Sequence, residues 1–273
     1  MKNKPRWYRK FVLDVDKEVV KEAVAKYTDD PEKYAHSSLE GPYLPPDTED
    51  LNGKKLVFRG EGRVVCFEIG GLNELYFSEN GGEAKKCYCN VKTLDHEIYF
   101  INHLVPGYEF ARQISLVADM KTGSATICDA HFGTANSNVD VDREFIFGKL
   151  DGEFEEGPLH EFTDELVGTA VEWNYGKLKI KHMYTSNLYY TYSHPGGANG
   201  AWMATNPADY VKVRDNIYIF SFVEERQHGL QGLFLIDLNQ LHDVGSFFGV
   251  SANHVSSNCI GAAGELASVL TIF

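Results

Sequence analysis

The chain has 273 residues, 43% of them hydrophobic and 13% aromatic, enough apolar surface for about two domains, each with its own core. Its formal net charge of −13 is localised: residues 140–165 carry ten acids against Arg143 and Lys149, and with no basic patch elsewhere the composition argues against a nucleic-acid partner. No stretch approaches the roughly 18 apolar residues of a membrane-spanning helix, Met1 to Asp16 lacks the apolar centre of a secretion signal, and the five cysteines are odd in number without a framework spacing, so the expectation is a cytoplasmic protein with reduced thiols and no membrane association.

Along the chain, Lys17 to Tyr27 reads as a helix, with Asp14 or Asp16 as its cap and Val19, Val20, Ala23 and Val24 on one face. Residues 29–50 contain Pro31, Gly41, Pro42, Pro45 and Pro46 and read as irregular. From Leu51 onward, short alternating runs are broken by turn residues: Gly60-Glu61-Gly62, Gly70-Gly71, Glu79-Asn80-Gly81-Gly82 and Lys121-Thr122-Gly123, then Asn174-Tyr175-Gly176, His194-Pro195-Gly196-Gly197, Arg214-Asp215-Asn216 and Asn239-Gln240. Strands about ten residues apart with such turns indicate an all-β sandwich or up-and-down barrel.

These two sets of turns belong to a repeat. Leu51-Asn52-Gly53, Ile98-Tyr99-Phe100-Ile101, Ala118-Asp119-Met120 and His131-Phe132-Gly133 recur as Leu166-Val167-Gly168, Ile217-Tyr218-Ile219-Phe220, Ile236-Asp237-Leu238 and Phe247-Phe248-Gly249. The offsets are 115 (Gly53 to Gly168), 119 (Ile98 to Ile217), 118 (Asp119 to Asp237) and 116 (Gly133 to Gly249). A period above 100 residues is too long for a solenoid or propeller blade, so each copy is a domain. The expected organisation is a helix and loop over 1–50, a first antiparallel barrel over 51–135, an acidic solvated connector over 136–165, and a second barrel with a tail packed as strand or short helix over 166–273.

Strand parity then places the chemistry. Leu178, Ile180, His182 and Tyr184 share one face while Lys179 and Lys181 take the other; Leu188, Tyr190 and Tyr192 share a face of the next strand. With His194 and Trp202 nearby, such a lining suits a small aromatic ligand, although core aromatics whose polar tips reach the rim would read the same way. Glu224 shares parity with Tyr218, Phe220 and Phe222, where a desolvated carboxyl has its pKa raised towards that of a general acid or base; a turn of exposed charges, Glu224 to His228, is the alternative. In the first copy, Arg112 shares a face with Ile114 and Leu116 and is a candidate for receiving a ligand carboxylate. Cys87 and Cys89, two apart in a strand, read as core neighbours before they read as a metal or redox pair, and the scattered histidines lack a metal-ligand spacing. No dinucleotide, phosphate-loop or nucleophile-elbow motif is present, so no cofactor and no metal are expected.

The doubled block, with Ile217-Tyr218-Ile219-Phe220-Ser221-Phe222-Val223-Glu224 and the closing Ser246-Phe247-Phe248-Gly249, resembles the MoaF family over roughly residues 40–250. That resemblance implies two lipocalin-like (calycin) barrels in tandem. The hairpin around Phe222-Val223-Glu224 is also similar to the central hairpin of phenolic acid decarboxylases, single lipocalin-like barrels that work without a cofactor through a Glu, an Arg and tyrosines. This second similarity implies Glu224 as the acid and matches no arginine unambiguously. The expected function is binding of a small aromatic or phenolic molecule with acid/base turnover of lyase, decarboxylase or isomerase type: Glu224, His182 and Tyr184 catalytic, and Tyr190, Tyr192, His194, Trp202, Phe222 and Arg112 binding. A non-catalytic carrier or sensor of a small hydrophobic ligand, and a purely structural barrel filled by its own side chains, stand beside it; the oligomeric state, a homo-oligomer included, stays open.

Overall fold

The computed structural model describes residues 17–29, 31, 40–108, 110–132, 141–194, 196, 201–224, 230–251 and 254–269. The expected caps Asp14 and Asp16, the landmark Gly133 and the run from Glu225 to His228 lie outside them. Among the described residues a helix, α1 (Lys17–Asp29), precedes seventeen strands. Eight close the first barrel: β1 (Lys55–Gly60), β2 (Arg63–Gly71), β3 (Glu74–Glu79), β4 (Lys85–Thr93), β5 (Ile98–Leu104), β6 (Arg112–Asp119), β7 (Ser124–Phe132) and β8 (Val141–Leu150). After the short β9 (Glu161–Phe162), the second barrel runs β10 (Thr169–Asn174), β11 (Lys179–Met183), β12 (Tyr189–His194), β13 (Trp202–Arg214), β14 (Ile217–Val223), β15 (Leu230–Asp237), β16 (His242–Ser251) and β17 (His254–Val269). It closes where β17 pairs with β10, and β9 is added on the outside against β13. The fold is all-β, two tandem lipocalin-like antiparallel barrels with one described helix, and no described helix is long and apolar enough to cross a membrane.

The repeat is structural. Leu51 and Leu166 are both buried, Gly53 and Gly168 both have positive φ (72° and 90°), and their amides donate to equivalent carbonyls, Ile69 O at 2.7 Å and Tyr184 O at 2.8 Å. Only glycine enters that region without a steric penalty, which is why the copies share it. Asp119 and Asp237 likewise each accept two main-chain N–H bonds in equivalent turns, Asp119 from Lys121 and Thr122, Asp237 from Asn239 and Gln240.

β8 lies within the stretch expected to be connector. Its acids mislead because they lie at the strand's start: Asp142 and Glu144 share the parity of Ile146 and Leu150, which join the first barrel's interior, while Phe145 and Phe147 face outward. The remaining connector folds back on the barrels, with His160 buried against Thr126 (2.8 Å). The tail is a strand, β17, long enough to pair with β16 and β10.

The barrels pack flank to flank. Ile98, Phe100, Val117 and Phe145 of the first meet Val211, Ile217, Ile219, Leu233, Leu235 and Val244 of the second in one buried cluster. Strands β5, β14 and most of β6, β7 and β15 are therefore buried on both faces; β14 reads as a nearly continuous apolar run, while β6 and β7 bury Gln113, Ser115, Thr126 and Asp129 among their apolar residues. Each such side chain contributes about 1.5–3 kcal/mol, so the pair behaves as one body. Polar bridges set the register: Gln113 Nε2 donates to Ser246 Oγ (3.2 Å), its repeat equivalent Gln231 donates to Cys128 Sγ (3.3 Å), and Arg143 Nε donates to Asp209 Oδ2 (2.9 Å). α1 sits by Ala23 on a separate buried cluster with Phe132, Phe248 and Val255.

Candidate functional site

The two barrel mouths differ in kind. In the first, Arg112 faces inward beside Ile114 and Leu116, but its guanidinium is occupied. Nε and Nη2 donate to Asp129 (2.9 and 2.7 Å) and Nη1 and Nη2 to Glu79 (2.6 and 2.9 Å). Arg63 bridges the same two carboxylates, and His131 joins Asp129 to the Tyr108 hydroxyl, both at 2.8 Å. Burial opposes ionisation of Asp129, yet the bonds from Arg112 and His131 hold its carboxyl well below the ordinary range. With four bonds made to two protein carboxylates, Arg112 closes the first barrel, away from the other predicted site residues. Beneath it His103 packs on Phe67 and Phe77, its pKa pushed down to about 4 by burial. Cys87 and Cys89 share the inner face of β4, and burial pushes both thiols up to about 12, so they are core side chains rather than nucleophiles.

The second barrel gathers the remaining predicted residues inside one wall. Its base is a packed aromatic stack. Tyr184 lies against Tyr210 and Phe220 (centroids 5.7 and 5.3 Å), and its hydroxyl accepts from Trp173 Nε1 at 3.4 Å. Burial raises its pKa, so Tyr184 belongs to this base and is not poised to lose a proton. The inner face of the same barrel also carries a residue that strand parity did not single out, Asp243. It is fully enclosed, accepts from Tyr175 OH (2.9 Å) and Ala262 N (2.8 Å), and burial pushes its pKa up to about 8.

Above the base, three adjacent strands place Tyr190, Asn206 and Glu224 directly opposite one another. Tyr190 pairs with Asn206 in the β12–β13 register, and Asn206 stands one step beyond the Ala208–Phe222 pair, level with Glu224. Asn206 Nδ2 donates to Glu224 Oε2 at 3.2 Å, and its side chain also bonds Tyr190. The Glu224 amide is held by Leu230 O (2.8 Å), so the side chain continues the inner face of Tyr218, Phe220 and Phe222, and the residue is 8% exposed. The exposed-turn alternative for Glu224 does not describe this geometry. Asn206 was legible only as an inward position between Ala204 and Ala208; its partners follow from strand register, which one sequence does not encode locally.

His182 is central to this wall, its ring 5.2 Å from Tyr190 and 5.5 Å from Phe220. Burial alone pushes its pKa down to about 3, so it is neutral at physiological pH and acts by position and hydrogen bonding rather than by charge. Tyr192 stacks on Tyr190 (5.9 Å) and accepts from Trp202 Nε1 (3.3 Å), while Trp202 stacks on His194 (4.3 Å). Leu178, Ile180, Trp202, Ala204 and Phe247 pack against this cluster yet stay partly exposed, so among the described residues solvent reaches the inner face here, as it also does at Leu238 beyond β15. By up-and-down connectivity the β10–β11, β12–β13, β14–β15 and β16–β17 connections all lie at one end of the barrel.

Residues 160–271, the second barrel, match the family described as the MoaF C-terminal domain. Over 214 residues, 73% of this chain and 79% of the other, the protein is 25% identical to Protein MoaF of Klebsiella aerogenes. The resemblance to the MoaF family is thereby borne out.

Proposed function

From a two-barrel chain whose second half carries the MoaF C-terminal domain, we propose a protein that binds a small aromatic or phenolic molecule in the mouth of the second barrel and moves a proton on it through Glu224. The observation that carries this reading is the inward carboxyl of Glu224, desolvated within an aromatic wall and oriented by Asn206. A carboxyl so placed exchanges a proton with a bound molecule without a cofactor. Tyr192, Trp202, His194 and Phe222 supply the aromatic surround, Tyr190 and Asn206 hold the carboxyl's geometry, and neutral His182 orients the ligand. The first barrel, closed by its ion pairs, supports the second across their shared flank. A carrier would use the same wall, so the test must separate binding from turnover. Phenols that raise the melting temperature are incubated with the protein and their products analysed. Glu224→Gln is expected to abolish conversion and keep the thermal shift; conversion at the wild-type rate removes Glu224 from the chemistry, and return of every ligand unchanged by the wild type favours the carrier.

A further inference from the structure

Among the described residues, two polar atoms on the inner wall of the second barrel are buried without a hydrogen-bond partner, Asn258 Oδ1 and His182 Nδ1. Asn258 lies on β17 in the parity of Ile260 and Ala262 and pairs across to Phe247, one of the inward residues that remain partly exposed. The residues are 6% and 4% exposed. An unsatisfied buried acceptor is costly and a packed apolar residue would avoid the cost, so such an atom inside an open barrel marks the place of a ligand's polar group.

We infer that Asn258 and His182 are the orienting contacts of the site proposed above, and that they select a neutral aromatic molecule bearing a hydrogen-bond donor, a phenol-type hydroxyl, over an aromatic carboxylate. This rests on the second barrel being the ligand site. A side-chain amide oxygen only accepts, so its partner must donate. The Glu224 carboxyl, at the end of β14 on the inner face of the same barrel, adds further acceptor oxygens. No cation offsets them: among the described residues of this barrel Lys177 is exposed, Lys179 and Lys181 take the outward parity, and Lys212 and Arg214 are engaged by Glu165 and Asp119. A carboxylate there would be desolvated against oxygen atoms and rejected. The aromatic faces of Phe222, Phe247 and Trp202 hold the ring itself.

The full chain is titrated calorimetrically with p-cresol, toluene and 4-hydroxybenzoate, alongside melting curves. Expected are binding of p-cresol, about tenfold weaker binding of toluene for the lost hydrogen bond, and no stabilisation by 4-hydroxybenzoate. Asn258→Leu should leave the free protein's melting temperature equal or higher and reduce the p-cresol over toluene preference to about twofold or less; Asn258→Ala provides the same readout if leucine is not accommodated. A preference that survives both Asn258 variants and His182→Phe, or a 4-hydroxybenzoate affinity above that of p-cresol, overturns the inference while leaving the Glu224 turnover test standing. Failure of all three probes to bind removes both readings, and loss of turnover with the preference intact removes only the proton-transfer step.

Discussion

Asp243 provides a sharp physical test of the second barrel's interior. Its carboxyl titrates near 3.8 in an unfolded chain and is held protonated to about 8 in the fold. Between those values the native state binds one more proton than the unfolded state, so raising the pH favours unfolding; the stabilisation is complete below about 4 and lost as pH rises through 8. The slope is at most about 1.4 kcal/mol per pH unit. In Asp243→Asn the amide oxygen would still accept from Ala262 N and meet Tyr175 OH, with nothing to titrate. Urea unfolding of wild type and Asp243→Asn, followed by circular dichroism at pH 5.5, 6.5 and 7.5, is expected to show the variant's lead over wild type growing with pH. From pH 5.5 to 7.5 that lead should widen by about 2–3 kcal/mol. The difference between the two proteins is the quantity to follow, because all other titrating groups are common to both and cancel. A difference that stays flat across the range would mean that Asp243 is ionised in the fold and the account of its burial is wrong.

Two further outcomes follow from the buried charges and rings. Arg112→Ala leaves Glu79 and the almost fully buried Asp129 with only part of their counter-charge, so a loss of about 3 kcal/mol in urea unfolding is expected, with the ligand response of the second barrel unchanged; a loss under about 1 kcal/mol would show the network to be screened by water. His103, His160 and His182 titrate near 6.5 when unfolded and are held to about 4, 4 and 3 in the fold. Their contribution is fully present above pH 6.5 and lost as pH falls through 4, each by about 1.4 kcal/mol per unit and partly offset by Asp243. Stability that stays level from pH 6.5 to 4.5 would refute their neutrality.

What was legible in the sequence was what strand parity and glycine carry. Gly53 and Gly168 mark a turn that needs positive φ, and the alternation of Leu178, Ile180, His182 and Tyr184 with lysines fixes the inner face of β11, because side chains two apart point the same way whatever the fold. Glu224 was legible on the same ground. Beyond parity, the decisive facts are distances between strands far apart in the chain. Arg112 has the inward parity of a ligand-binding arginine, but the β6–β7 register sets Asp129 beside it and curvature of the barrel across β4 and β5 brings Glu79 onto it. β8 carries the charge of a connector, and pairing with β7 and β1 makes it a barrel wall. Asn206, Asn258 and Asp243 are ordinary residues in sequence, and register gives the first a carboxyl, leaves the second's amide oxygen unpaired and gives the third a burial that keeps its proton. The sequence by itself determined the duplication, the strand content and which side chains face inward, since these depend on local stereochemistry. The tertiary structure decided which mouth is sealed and which is open, because that depends on charges and rings meeting across strands that the chain order keeps apart.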